Sequence, residues 1–216
     1  MTRLIRECLL LTSLAIMLNA QSQRAGLRIH LHIYNYAGVS RESLTRAEHD
    51  ASRIFQSTGI ETGWLDCPLT EEQLSRNSSC EGPSTSSRFM IHLLSNTMAE
   101  SFPLGHDFFG VALLPVRGEC FGVTANIFAE RVQEMAGSTE SVAVILGAVM
   151  AHELGHLLLR HAAHSVAGIM CGQWRTREIE RAVKGTLLFL PEEAKTIREQ
   201  VALRMMSGGE PPPQNR

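Results

Sequence analysis

Residues 138–160 read Ser138-Thr139-Glu140-Ser141-Val142-Ala143-Val144-Ile145-Leu146-Gly147-Ala148-Val149-Met150-Ala151-His152-Glu153-Leu154-Gly155-His156-Leu157-Leu158-Leu159-Arg160. Val142, Ile145, Leu146, Val149, Met150, Leu154, Leu157 and Leu158 cover more than one side of a helix drawn from about Ser138 or Thr139 to Arg160. A surface helix carries one apolar stripe, whereas a helix apolar nearly all round lies inside a core. Glu140 stands near the positive end of its dipole. Two imidazoles and a carboxylate, His152, Glu153 and His156, sit inside this apolar run. Burying them without partners would be costly, so the helix asks for something that compensates.

A metal ion compensates. Residues four apart share a helix face, so His152 and His156 can reach one ion. Zinc suits them because it accepts neutral imidazole nitrogen and keeps a position open in catalytic sites. Glu153 follows the first histidine by one residue, about 100° around the helix. There a carboxylate can take a proton from a water at the ion and later pass it to a leaving amine. Two ligands need a third, and the candidates are His161, His164, Glu178 and Glu180. On a continuing helix His161 lies about 140° from His156, on the wrong face. His164 reaches the ion if the chain turns near residues 160–163, and it is the preferred third ligand.

Upstream, Leu27, Ile29, Leu31 and Ile33 alternate with polar residues, the pattern of a half-buried strand. His30 and His32 fall on its polar side, where solvent is expected. Ser40 caps a helix with Leu44, Ala47, Ala51, Ile54 and Phe55 at helical spacing, and Gly59 suits its end. Strands are expected around Ile60–Leu65, Arg88–Ser95, Phe109–Leu114 and Phe121–Phe128, with an irregular loop at 66–87. After Trp174, expected to be core, an amphipathic helix from Glu192 to Met205 turns Ile197 and Val201 inward.

The run His152-Glu153-x-x-His156, a later His164-Ser165 pair, and the turn Gly168-Ile169-Met170 together resemble the metzincin clan of zinc metalloproteases. The match is to a spaced variant, HELGHLLL-x-x-x-x-HS-x-x-GIM, seen in exported bacterial proteins. The resemblance implies an α+β fold of the zincin/metzincin type. In it a small mixed sheet packs on a helix and a buried active-site helix, and a C-terminal helix follows. It implies His152, His156 and His164 as zinc ligands, Glu153 as general base, and Met170 as the methionine under the zinc. It also makes Phe109–Leu114 the sheet edge beside the cleft, where an extended peptide pairs with backbone.

The chain departs from the usual metzincin pattern in three places. The residue two before His164, where the third ligand normally falls, is Ala162; the glycine that ends the helix is replaced near Arg160; and Cys171, not tyrosine, follows Met170. A non-glycine residue in the left-handed bend costs on the order of 1 kcal/mol. Gly155 is read as allowing close packing of the helix on the sheet.

The function expected is an exported zinc-dependent endopeptidase. Two alternatives stand beside it. One is a gluzincin-like or other zinc hydrolase with Glu178 or Glu180 as third ligand. The other is a non-catalytic, zinc-stabilised exported binding protein, which a fourth ligand such as Cys171 or His161 would favour.

Met1–Arg6 carries two arginines, an apolar run follows over Cys8–Leu18, and Ala20 offers a small residue for cleavage. This reads as a signal peptide, residues 1–20, too short in its apolar part for a membrane anchor. A peptidase domain over 21–206 and a disordered tail over 207–216 complete the division. Export, to the outside or a periplasm, permits disulfides; of the four cysteines beyond Ala20, Cys67–Cys80 is the first pairing expected, leaving Cys120–Cys171. With 216 residues, 44% hydrophobic, 19% charged and net charge −2, the chain is one globular domain with no basic surface for nucleic acid. The expected partner is a peptide or protein substrate, with no membrane span after signal cleavage and a monomeric state.

Overall fold

In a computed structural model the described residues are 26–70, 80, 85–115, 121–136 and 138–207. They form an α+β fold with five strands and six helices. The strands are β1 (Arg28–Asn35), β2 (Glu61–Cys67), β3 (Arg88–Leu94), β4 (Gly110–Leu113) and β5 (Thr124–Phe128). The helices are α1 (Arg41–Gln56), α2 (Asn96–Ala99), α3 (Ala129–Ala136), α4 (Thr139–Leu159), α5 (Thr176–Val183) and α6 (Pro191–Ser207). The expected signal peptide and the tail beyond Ser207 lie outside the described residues.

The sheet has the order β2-β1-β3-β5-β4. Its first four strands run parallel, and β4 pairs antiparallel with β5 at one edge. Ile29, Leu31 and Ile33 of β1, Phe89, Ile91 and Leu93 of β3, and Ala125 and Ile127 of β5 all turn to the same core. That alternation is the strand period of two seen in the sequence. α1 covers this face with the five residues expected of it, and Ser40 accepts a hydrogen bond from the Ser43 N–H as N-cap. Gly59, with φ +83°, reverses the chain into β2. α4 then lies across α1 and the β4–β5 end of the sheet. The two helices meet at Gly147, where any Cβ would collide with the Ala47 carbonyl oxygen.

By length and composition Ser141–Leu159 could cross a membrane, but 89% of it is buried in this core. Its apolar surface is already covered.

The cysteine pair Cys67–Cys80 is a disulfide, as expected. Cys171 is a free thiol, and Cys120, its expected partner, lies outside the described residues. His32 departs from expectation. It is 5% exposed, because β2 and β3 flank its strand and the disulfide covers its side of the sheet. Its Nδ1 is 3.6 Å from Cys67 Sγ, and burial holds its pKa below the ordinary value, with Arg88 and His30 adding to the effect. His30 is exposed.

β5 starts three residues later than expected, because the Gly122 carbonyl is given to the guanidinium of Arg204, and Phe121 lies against that same group. Three short helices, α2, α3 and α5, carried no sequence expectation.

Candidate metal centre

α4 places His152 and His156 one turn apart, 8% and 6% exposed. Each ring's Nδ1 is matched to a backbone carbonyl, His152 to Ile169 at 2.7 Å and His156 to His161 at 2.9 Å. A carbonyl can only accept, so both Nδ1 atoms carry hydrogen and donate. The neutral rings are then left with bare Nε2 lone pairs, and these face each other at 3.1 Å. Two lone pairs at that distance repel unless a cation stands between them. Two nitrogens each about 2.0–2.1 Å from one tetrahedral zinc stand roughly 3.3 Å apart. The donor set fits a metal ion.

The third imidazole of the cluster is that of His164. α4 ends at Arg160, a non-glycine residue in the left-handed region at φ 61°, whose N–H donates to the His156 carbonyl at 2.8 Å. The chain doubles back and presents His164, its ring centroid 4.9 Å from that of His156 and 5.4 Å from that of His152. One donor atom from each of the three histidines lies within 4.8 Å of the others. His164 is exposed to solvent, and its ring rests on Gly172, where a Cβ would lie 2.8 Å from His164 Cγ. Two buried histidines and this exposed one can together hold a metal ion.

Burial lowers the pKa of His152 to about 3, reinforced by neighbouring His156 and eased by the Ile169 carbonyl. His156 is likewise lowered, by burial first. Both rings are therefore neutral and able to ligate near neutral pH. Glu153, 6% exposed, moves the other way. Burial raises its carboxyl to about 8, against the opposing pull of the Ala112 N–H that donates to it. Ala112 belongs to β4, the sheet edge, and β4 can pass this close only because residue 110 is glycine. A Cβ there would lie 2.8 Å from Glu153 Cγ and 2.9 Å from Asn126 O.

The three histidines and Glu153 floor a cleft of about 710 Å³. β4 and Phe109 form one wall, and residues 171–175 form the other. Trp174 is half-buried in this second wall, edge-on to His152 at 5.8 Å, so it serves the cleft as well as the core. Met170 is fully buried. Its sulfur would be 2.5 Å from a Cβ at Gly155, so that glycine admits Met170 and Phe189 rather than the sheet.

The other candidate ligands are engaged elsewhere. Glu178 accepts the Arg175 N–H at 3.1 Å as a helix cap, and Glu180 pairs with Lys184 at the surface. His161 is exposed, gives its carbonyl to His156, and sets its own Nδ1 3.1 Å from the Ala163 carbonyl. Cys171 lines the cleft with its thiol turned to the Gln173 carbonyl. Among the described residues the cluster thus comprises three donors. The second grouping, His32 with Cys67 and Cys80, has both sulfurs bonded to each other, so neither is a thiolate ligand.

Two supports escaped sequence reasoning. Glu193, 8% exposed, accepts hydrogen bonds from the Ser165 hydroxyl and from the Leu190 N–H, the latter at 2.7 Å. Its signal was local: Pro191 opens α6 and Glu193 takes the third position, the reach-back arm of a capping box. Arg204, fully buried, donates to the carbonyls of Leu157, Gly122 and Ser86. It shares the helical face of Ile197 and Val201, and nothing local marks it as buried.

Comparison with protein-family models finds no match, and comparison with curated proteins finds no similar chain.

Proposed function

We propose that this protein is an exported, zinc-dependent peptidase of metzincin-like design that hydrolyses peptide bonds in extended substrates. The observation that carries the proposal is the convergence of His152, His156 and His164 beside Glu153 on the floor of an open cleft bordered by a sheet edge. Three imidazole nitrogens, without thiolate or carboxylate in the group, favour zinc over calcium or magnesium, which take oxygen ligands.

Zinc held there supplies Lewis acidity, polarising a carbonyl and acidifying water. The chain supplies the rest. Glu153 accepts the proton of the attacking water on its carboxylate and delivers it to the departing amine nitrogen. In the metal-free chain burial favours the protonated carboxyl; a cation bound at the histidines would favour the carboxylate, the form that accepts the proton. The outer backbone groups of β4 offer an extended peptide strand-like hydrogen bonds, and Phe109 and Trp174 shield the floor from bulk water. The Cys67–Cys80 disulfide fits an oxidising compartment, in line with export.

The test is cleavage of a proteome-derived peptide library, read by mass spectrometry, by wild type, by metal-stripped protein with and without added zinc, and by Glu153→Ala. Cleavage is expected to require both zinc and Glu153, with zinc still bound by Glu153→Ala. Cleavage persisting in Glu153→Ala at the wild-type rate would sink the mechanism. A zinc-loaded wild type that cuts nothing would favour a zinc-stabilised binding protein instead.

A further inference from the structure

The turn carrying the second and third histidines lacks the glycine that would let it bend freely, yet it is held at both ends by one helix. Before the turn, Arg204 of α6 donates to the carbonyl of Leu157, the residue after His156, at 2.8 Å. After it, Glu193 of the same helix accepts from the hydroxyl of Ser165, the residue after His164. The two anchors are eleven residues apart on α6, about 16 Å along a rigid rod. Within the turn, His156 Nδ1 donates to the His161 carbonyl at 2.9 Å and His161 Nδ1 lies 3.1 Å from the Ala163 carbonyl. Backbone bonds also run from Ser165 N–H to the Met170 carbonyl at 2.9 Å and from Ile169 N–H to the Leu188 carbonyl at 2.9 Å. The ring of His164 itself is exposed, so its position is set through its neighbours.

We infer that α6 is the strut that sets the separation of His156 and His164, and that Glu193 is a positioning residue for the third metal ligand, acting through Ser165. The inference rests on the zinc reading above. One carboxylate oxygen of Glu193 caps α6 through the Leu190 N–H, and the other is left to hold the Ser165 hydroxyl. Outer partners of this kind typically change metal affinity by about 10–100-fold when removed.

The experiment measures zinc affinity of the full chain by competition with a chromophoric chelator, and the visible spectrum of the cobalt(II)-substituted protein. Glu193→Ala and Ser165→Ala are each expected to weaken zinc binding by about 10–100-fold and to alter the cobalt spectrum. The double variant should lose no more than either single one, because both act on one link. Glu193→Gln should restore near wild-type affinity, since the amide can accept from Leu190 and donate to Ser165. Ser165→Ala removes only a hydroxyl, and so tests the link even if Glu193→Ala fails to fold. Single variants that bind zinc within threefold of wild type, with an unchanged cobalt spectrum and only a lowered melting temperature, would overturn the inference. A wild type that binds no zinc would overturn the zinc reading itself, a distinct result.

Discussion

The Nε2 atoms of His152 and His156 face each other at 3.1 Å while both Nδ1 atoms are matched to backbone carbonyls. The arrangement holds two lone pairs in mutual repulsion, and a cation between them relieves it. Zinc should therefore stabilise the fold, not merely occupy it. At a free zinc concentration one hundred times Kd the gain is about 2.7 kcal/mol, a rise of roughly 5–10 °C in melting temperature for a chain of this size. His156→Ala should abolish that rise. Differential scanning fluorimetry with zinc and with chelator reads it directly, and identical melting in both would count against a metal at this site.

Gly110 touches the other half of the site. Its missing side chain is what lets β4 lie against Glu153, with a Cβ landing 2.8 Å from Cγ and 2.9 Å from Oε1 of that carboxylate. Gly110→Ala is expected to displace Glu153 and lower peptide cleavage by 10-fold or more, on the order of what a misplacement near 1 Å costs. Zinc content should stay near wild type, because no histidine is touched. Parallel measurement of turnover and bound zinc separates the two, and full activity would mean that Glu153 has room to adjust.

Arg160 and Arg204 both stand near the end of α4, but their substitution should have unequal consequences. Replacing Arg204 by Met leaves the carbonyls of Leu157, Gly122 and Ser86 without their donor. The expected cost is about 2–4 kcal/mol. Arg160→Gly removes a left-handed strain of about 1 kcal/mol. Against this, glycine frees the unfolded chain by about 0.4–1 kcal/mol and gives up the Arg160 contact with the Phe121 ring at 5.1 Å. These nearly cancel, so Arg160→Gly should lie within about 1 kcal/mol of wild type. Urea midpoints decide it, and a loss in Arg160→Gly as large as in Arg204→Met would contradict the ranking.

How much of this was legible depends on how local each cause is. α1 was readable residue by residue, because one stripe of Leu44, Ala47, Ala51, Ile54 and Phe55 can only face a core. The pitch of α4 set His161 on the wrong side, but it left His164, Glu178 and Glu180 open, because the turn after the helix is not a local pattern. His32 was not legible: strand alternation tells which side a residue takes, not whether a disulfide formed 35 residues later will cover that side. The closeness of Gly110 to Glu153 and the bond from Ser165 to Glu193 are likewise meetings of distant segments. α3 and α5, eight residues each, are too short for a helical period to stand out. Arg204 ran against the sequence pattern altogether, a cation where the helix face called for an apolar residue.

Away from the site, Glu48 on α1 makes stability depend on pH. Its carboxyl is pushed up to about 7, first by burial, then by the charge of Asp66 and a hydrogen bond with it, while Arg41 pulls it back. Between about pH 4.5 and 7 the folded chain thus holds a proton that the unfolded chain has released. Stability from this group is present below that window and is lost as pH rises through it. Glu48→Gln keeps a donor for Asp66 and cannot ionise. The variant should match wild type at pH 5 and exceed it at pH 8 by about 1 kcal/mol, a figure reduced for the half-exposed setting. Urea unfolding of both proteins at the two pH values gives the difference, in which every other titrating group cancels. Wild-type and variant midpoints that shift in parallel would show that Glu48 titrates alike in the folded and unfolded chains, with Arg41 offsetting burial and Asp66.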